Sequence, residues 1–229
     1  GEIALCILSA INVGLVRDVG DLEGLCDLTV RALEEIIDHQ KYPVKAAEIS
    51  TKARRSLGVG YIGLAHYLAK TGYKYEQKGA WKEVDKLSEA FQYYLLKSSN
   101  EIAKEKGQCD LFHRTKYADG ILPIDTYKKE VDELVNRKLS MKWDKLRADI
   151  KEFGLRHSTL SAQMPSESSS VVSNATNGIE PPRDHLSVKK SKKGTLKQIV
   201  PEYNKLKNFY TLLWDMPSNE GYINIVAVM

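Results

Sequence analysis

The residues best suited to chemistry stand between Met164 and Ser170, where MPSESSS follows a strand-like run and precedes a short helical one. An exposed helix start carries unpaired N–H groups and the positive end of the helix dipole, a combination that holds phosphate. Pro165 pre-sets the turn, and Ser166, Ser168 and Ser169 add hydroxyl donors. No lysine lies inside the loop, so an anion there would be held by backbone and hydroxyl groups. An ordinary serine-rich helix cap fits the same residues. Spacing alone leaves both readings open.

Other candidate groups are weaker. Cys6, Cys26 and Cys109 are widely spread and odd in number, which is no disulfide framework and points to a reducing compartment. Cys6 sits in an apolar run, where a free cysteine reads as a small buried hydrophobe, and composition supports the same reading for the other two. The five histidines, His39, His66, His113, His157 and His185, have no metal-ligand spacing to each other or to cysteine. Gly58, Gly60 and Gly63 spell G-x-G-x-x-G, but the preceding TKARRSL is no buried strand and Glu83 falls in an expected helix. A tight helix-packing turn fits these glycines better than a dinucleotide fingerprint. Lys189, Lys190, Lys192 and Lys193 read as a solvated hairpin tip; no aromatic residues interleave them, which disfavours nucleic-acid binding. Asn174-Ala175-Thr176 matches a glycosylation acceptor, yet the cysteine usage argues against secretion, so the triplet reads as structural.

The elements that must position these groups alternate at long spacing, which favours a mixed α/β fold. Residues 2 to 15 are expected as a buried strand. Leu22, Leu25, Leu28, Ala32, Leu33 and Ile36 recur at helical spacing from Asp21 to Asp38, with Asp18 or Asp21 as cap. Helices are expected over Val44 to Arg55, from Leu64, over Glu83 to Lys106, Asp125 to Val135 and Trp143 to Phe153. His157 to Gln163 reads as a strand, and Ser168 to Asn174 as a short helix. After Pro181-Pro182 the texture changes to a small β-β-α-β tail: strands at Leu186 to Lys190 and Thr195 to Val200, a helix from Glu202 to Leu213 and a last strand from Tyr222.

The bulk figures fit a soluble globular domain. The 229 residues carry 42% hydrophobic and 28% charged content, and the net charge of +4 decides little between partners. No apolar run approaches the roughly 20 residues of a membrane helix, and no signal or transit segment is expected in these residues. It begins at Gly1 and ends in an apolar run, so a fragment or split-gene product is expected.

Three stretches together resemble the catalytic subunit of class I ribonucleotide reductases. They are GEIALCILSAINVG at 1 to 14, RRSLGVGYIGLAHYLAK at 54 to 70, and LRHSTLSAQMPSESSSVVSNATNGIEPPR at 155 to 183. ILPIDTYKK at 121 to 129 is similar to bacterial and phage members. The resemblance covers essentially the whole chain in the family's order. It implies part of a ten-stranded α/β barrel, its second half-barrel, over 1–175, followed by a small α/β subdomain over 176–229.

The family's chemistry is implied with it. A thiyl radical takes the 3′ hydrogen of a ribonucleoside diphosphate, and a cysteine pair supplies two electrons as the 2′ hydroxyl leaves as water. Cys6 matches one member of that pair, while Cys26 and Cys109 match no reactive position. Pro165, Ser166, Glu167, Ser168 and Ser169 match the diphosphate loop, with Ser168 where some relatives have Thr. Glu167 is expected to offer its backbone N–H to the ligand rather than its carboxylate. The family's Asn-x-Cys-x-Glu motif is expected before Gly1, and its radical-transfer tyrosines and cysteine tail beyond Met229. The implied partners are the N-terminal part of the large subunit, a small subunit whose metal centre supplies the radical, and thioredoxin or glutaredoxin as reductant. No cofactor is expected in this chain, and the location expected is cytoplasmic. A non-catalytic docking fragment of a split large subunit is the alternative.

Overall fold

The computed structural model describes residues 1–192 and 194–229. Lys193, one of the four lysines of the basic run, lies outside the described residues.

A short parallel layer lies at the centre. Strand β1 (Leu8–Asn12) pairs with β2 (Gly58–Ile62) from Leu8↔Gly58 to Asn12↔Ile62. A third segment runs parallel to β2 on its other side. The Leu57 and Val59 amides donate to the Thr159 and Leu160 carbonyls at 3.0 and 2.7 Å, and the Ala162 amide donates to Val59 at 3.1 Å. Only Ser161 makes a formal bridge, so the strand expected over His157 to Gln163 is shorter and less regular. Parallel strands need long crossovers, and the helices between them supply these.

Helices α1 (Asp21–His39) and α2 (Lys45–Arg54) connect β1 to β2. Next come α3 (Leu64–Thr71), α4 (Lys78–Lys106), α5 (Val131–Val135) and α6 (Trp143–Phe153), which lead to the third segment. In α4, Val84, Leu87, Phe91, Leu95 and Ile102 share the buried face, as their helical spacing requires. Gly107 ends the helix with φ 84°. α1 packs along α4, and Leu22, Cys26, Val30, Leu33 and Ile37 form its buried face. The helix carries two apolar stripes at helical spacing; the one through Leu25, Leu28, Ala32 and Ile36 stays exposed, contrary to the sequence expectation. Neither expected aspartate is its cap. Gly20 holds that position, and Asp18 accepts from the Gly20 amide at 2.8 Å.

Several expectations fail for identifiable reasons. Gly58 and Gly60 lie within a fully buried strand, so they form no helix-packing turn; only Gly63, at φ 80°, makes the turn into α3. The helix expected over Asp125 to Val135 breaks into a 3₁₀ turn (Pro123–Asp125) and α5. Residues 2 to 6 pair with no strand among the described residues, and Ile7 joins β2 only through its carbonyl, which accepts from the Gly58 amide at 2.9 Å.

In the tail, α7 (Glu167–Val172) precedes an antiparallel hairpin of β3 (Leu186–Ser191) and β4 (Gly194–Ile199). The helix from Glu202 shrinks to α8 (Tyr203–Leu206). The apolar run from Tyr222 belongs to a helix, α9 (Glu220–Val228), not a strand. Short apolar runs fit either state. Here Gly221 lets the helix lie against the Glu76 backbone, and Ile225 and Val228 bury one face. The fold is therefore mixed α/β, and the described residues by themselves close no barrel.

Candidate active site

Side chains alternate across a strand, and here the two faces differ sharply. Ile7 and Ile11 are buried beneath the helices. Leu8 points the other way, to the face carrying Gly58, Gly60 and Ala162. A Cβ on Gly58 would lie 2.6 Å from Leu8 and 3.1 Å from Ala162, and one on Gly60 would lie 2.3 Å from the Ala162 carbonyl oxygen. Gly58 and Gly60 thus leave room on this face for the side chains of Leu8 and Met164.

Cys6 is two residues before Leu8, in step with that face, and it is exposed. The buried-hydrophobe reading from composition is wrong for Cys6, because its neighbour Ile7 takes the inward position. That reading holds for Cys26 and Cys109, which are buried. Burial pushes the Cys26 thiol up to about 12, with the Asp27 charge adding to it, and raises that of Cys109 as well.

The serine loop leaves the third segment at its C-terminal end. Ser166 is buried and donates to the Asn177 side-chain oxygen at 3.4 Å, while its carbonyl accepts from the Ser170 amide at 2.8 Å. Pro165, Glu167, Ser168 and Ser169 are exposed. Ser169 uses its hydroxyl to bond the Ser166 carbonyl at 3.2 Å. The Ser168 hydroxyl and the amides of Glu167, Ser168 and Ser169 have no partner among the described residues. That set of free donors is what an anion cradle requires.

Neighbouring chain fixes the loop. The Gly63 and Leu64 amides at the start of α3 donate to the Thr176 and Gly178 carbonyls at 3.0 and 3.3 Å. On the hairpin side, Gln198 donates to the Ala175 carbonyl at 3.1 Å. The Glu167 carboxylate pairs with Lys189 at 2.8 Å, and that ammonium holds its carboxyl below the usual range. The carboxylate is thus engaged with the hairpin.

Register sets Cys6 apart from this loop. Leu8 is level with Gly58 and Val59 with Ser161, so Cys6 lies at the end of the layer where Ser56 and Ser158 share a 2.8 Å hydrogen bond. The serine loop follows the opposite end. The chain brings the five loop residues together and leaves Cys6 on the same open layer, not beside them.

One buried cluster went unread in the sequence. Glu34, inside α1, accepts from Arg55 and Arg156, each at 2.7 Å, and lies 3.1 Å from His157 Nε2. Arg55 also pairs with Asp38 at 2.8 Å. His157 Nδ1 is 2.9 Å from the Ser99 hydroxyl. Burial opposes the Glu34 charge, but His157, Arg55 and Arg156 outweigh it and bring its carboxyl down to about 2. Burial lowers His157 against the pull of the Glu34 carboxylate, to which Nε2 is the donor. The spacing of Glu34 and Asp38, one helical turn, was the available signal.

These features sit in a chain whose residues 1–219 match the family model described as the ribonucleotide reductase barrel domain. The chain belongs to the ribonucleotide reductase barrel-domain family. Among curated relatives, it is 57% identical to the ribonucleoside-diphosphate reductase subunit alpha of Haemophilus influenzae over 229 residues, which is 100% of this chain and 30% of that protein. The Buchnera aphidicola subunit from Schizaphis graminum gives the same identity and coverage. The subunit of Enterobacteria phage T4 is 43% identical over 232 aligned residues, again 100% of this chain and 30% of its own length. The chain therefore spans about 30% of the length of these ribonucleotide reductase subunits. No helix among the described residues is long and apolar enough to cross a membrane.

Proposed function

We propose that this chain is a segment of the catalytic subunit of a ribonucleoside-diphosphate reductase, supplying one redox cysteine and the substrate's diphosphate loop. One observation carries the reading: of three cysteines, Cys6 alone is exposed, two residues before β1 at the open end of the parallel layer. A disulfide needs Cα atoms about 6 Å apart, and an exposed thiol at the start of the layer is open to a second chain segment.

In this reading a thiyl radical on another part of the subunit removes the 3′ hydrogen. The C2′–O bond then breaks and the oxygen leaves as water. Cys6 and its partner give up two protons and two electrons and become a disulfide. The radical site then returns the 3′ hydrogen, and an external dithiol, thioredoxin or glutaredoxin, reopens the disulfide. Pro165 and Ser166 shape the loop, and the Ser168 hydroxyl with the amides of residues 167 to 169 binds the diphosphate. Ser169 keeps Ser166 in place through its carbonyl.

Residues 1–175 would form the second half of a ten-stranded barrel, and 176–229 a small α/β subdomain. The N-terminal part of the large subunit would close the barrel and bring the radical cysteine, and a separate small subunit would generate the radical. The assembly would work in the cytoplasm. Ser168→Ala in the complete large subunit tests the loop. Binding of cytidine diphosphate should weaken about ten- to a hundredfold, the value of one lost hydrogen bond to a charged group, with thermal stability unchanged. Equal affinity would remove the diphosphate assignment.

A further inference from the structure

A carboxylate in a loop that binds a diphosphate poses an electrostatic problem, and the hairpin offers a solution. Glu167 is the first residue of α7 and is exposed, and its amide belongs to the free donors described above. Left alone, its negative charge would stand beside the phosphates. Instead Lys189 from β3 holds the carboxylate at 2.8 Å. Arg183 adds a second positive charge nearby.

The hairpin is well placed for this. Ser187 pairs with Gln198 and Lys189 with Leu196, so Lys189 and Gln198 lie diagonally on one face of the hairpin. Both reach the serine loop, Lys189 through Glu167 and Gln198 through the Ser170 carbonyl at 3.5 Å, with the Ala175 carbonyl beyond it at 3.1 Å. One residue from each strand thus fixes the hairpin against the loop. Lys189 therefore differs from its neighbour Lys190, which projects to solvent.

We infer that Lys189 is a specificity-determining and positioning residue for the diphosphate: it neutralises Glu167 and draws the carboxylate away from the anion cradle. This inference rests on the loop's assignment under the proposed function. Lys189 touches Glu167 and acts through it, so its effect should vanish when Glu167 carries no charge.

The test is a double-mutant cycle in the complete large subunit, reading equilibrium binding of cytidine diphosphate and of cytidine. Lys189→Gln should weaken cytidine diphosphate about two- to fivefold, the range of an exposed ion pair, and leave cytidine unchanged. Glu167→Gln introduced into the same variant should restore diphosphate binding, and Lys189→Arg should keep it. The loss should shrink at 0.5 M salt, as screening demands. Equal diphosphate affinity in Lys189→Gln, or a loss that Glu167→Gln does not repair, would overturn the inference. Ser168→Ala measured in parallel separates the two levels. If it too leaves binding unchanged, the loop assignment itself fails; if it weakens binding while Lys189→Gln does not, only the role of Lys189 fails.

Discussion

Gly60 and the Ala162 carbonyl oxygen approach so closely that a Cβ on Gly60 would sit 2.3 Å from that oxygen. The obstacle is backbone, which cannot rotate aside as a flexible side chain can. The close pairing of the third segment with β2 depends on this contact. Gly60→Ala should therefore push the third segment off β2 and destabilise the subunit by about 1–3 kcal/mol, the usual cost of overpacking. Thermal unfolding would show it as a lowered Tm. An unchanged Tm would mean that the two segments can separate freely.

The Glu34 cluster makes a second, larger prediction. Glu34→Gln takes the buried carboxylate from Arg156 and leaves Arg55 with Asp38 alone, and breaking a buried ion pair costs about 3–5 kcal/mol. The sign of the pH dependence follows from both lowered groups. The unfolded chain takes protons first at Glu34, so its contribution is present above pH 4.5 and is lost as pH falls towards about 2. His157 is lowered from 6.5, so the unfolded state also gains protons first below that pH. Stability measured by denaturant titration should fall steadily from pH 7 to pH 4. His157→Gln should flatten the part nearest pH 6, and a curve unchanged by it would exclude His157.

Much of this was legible beforehand, for physical reasons that differ by residue. The α4 stripe from Val84 to Ile102 was readable because helical periodicity and burial coincide over many turns. The serine loop was readable because Pro165 and the hydroxyl residues are local turn chemistry. α9 departs from the expected strand because so short an apolar run fits either state, and packing of Gly221 on Glu76 with Ile225 and Val228 turned inward decides for a helix. Cys6 was misread by composition because exposure depends on which way Ile7 turns. The Glu34 cluster joins residues up to 123 apart in the chain, beyond the reach of local spacing.

The three cysteines should react very differently. At pH 8 only about one Cys26 thiol in ten thousand would be ionised with its pKa near 12. Alkylation of this chain under native conditions, followed by peptide mass analysis, should label Cys6 and spare Cys26 and Cys109 until unfolding. Equal labelling of Cys26 would contradict the packing of α1 on α4.

The most direct test concerns Cys6 in the complete reductase with its small subunit and a dithiol reductant. Cys6→Ser keeps the size of the side chain but cannot form a disulfide. Repeated turnover of cytidine diphosphate to deoxycytidine diphosphate should be abolished, with substrate binding retained. Turnover at the unsubstituted rate would show that Cys6 is not a member of the reducing pair.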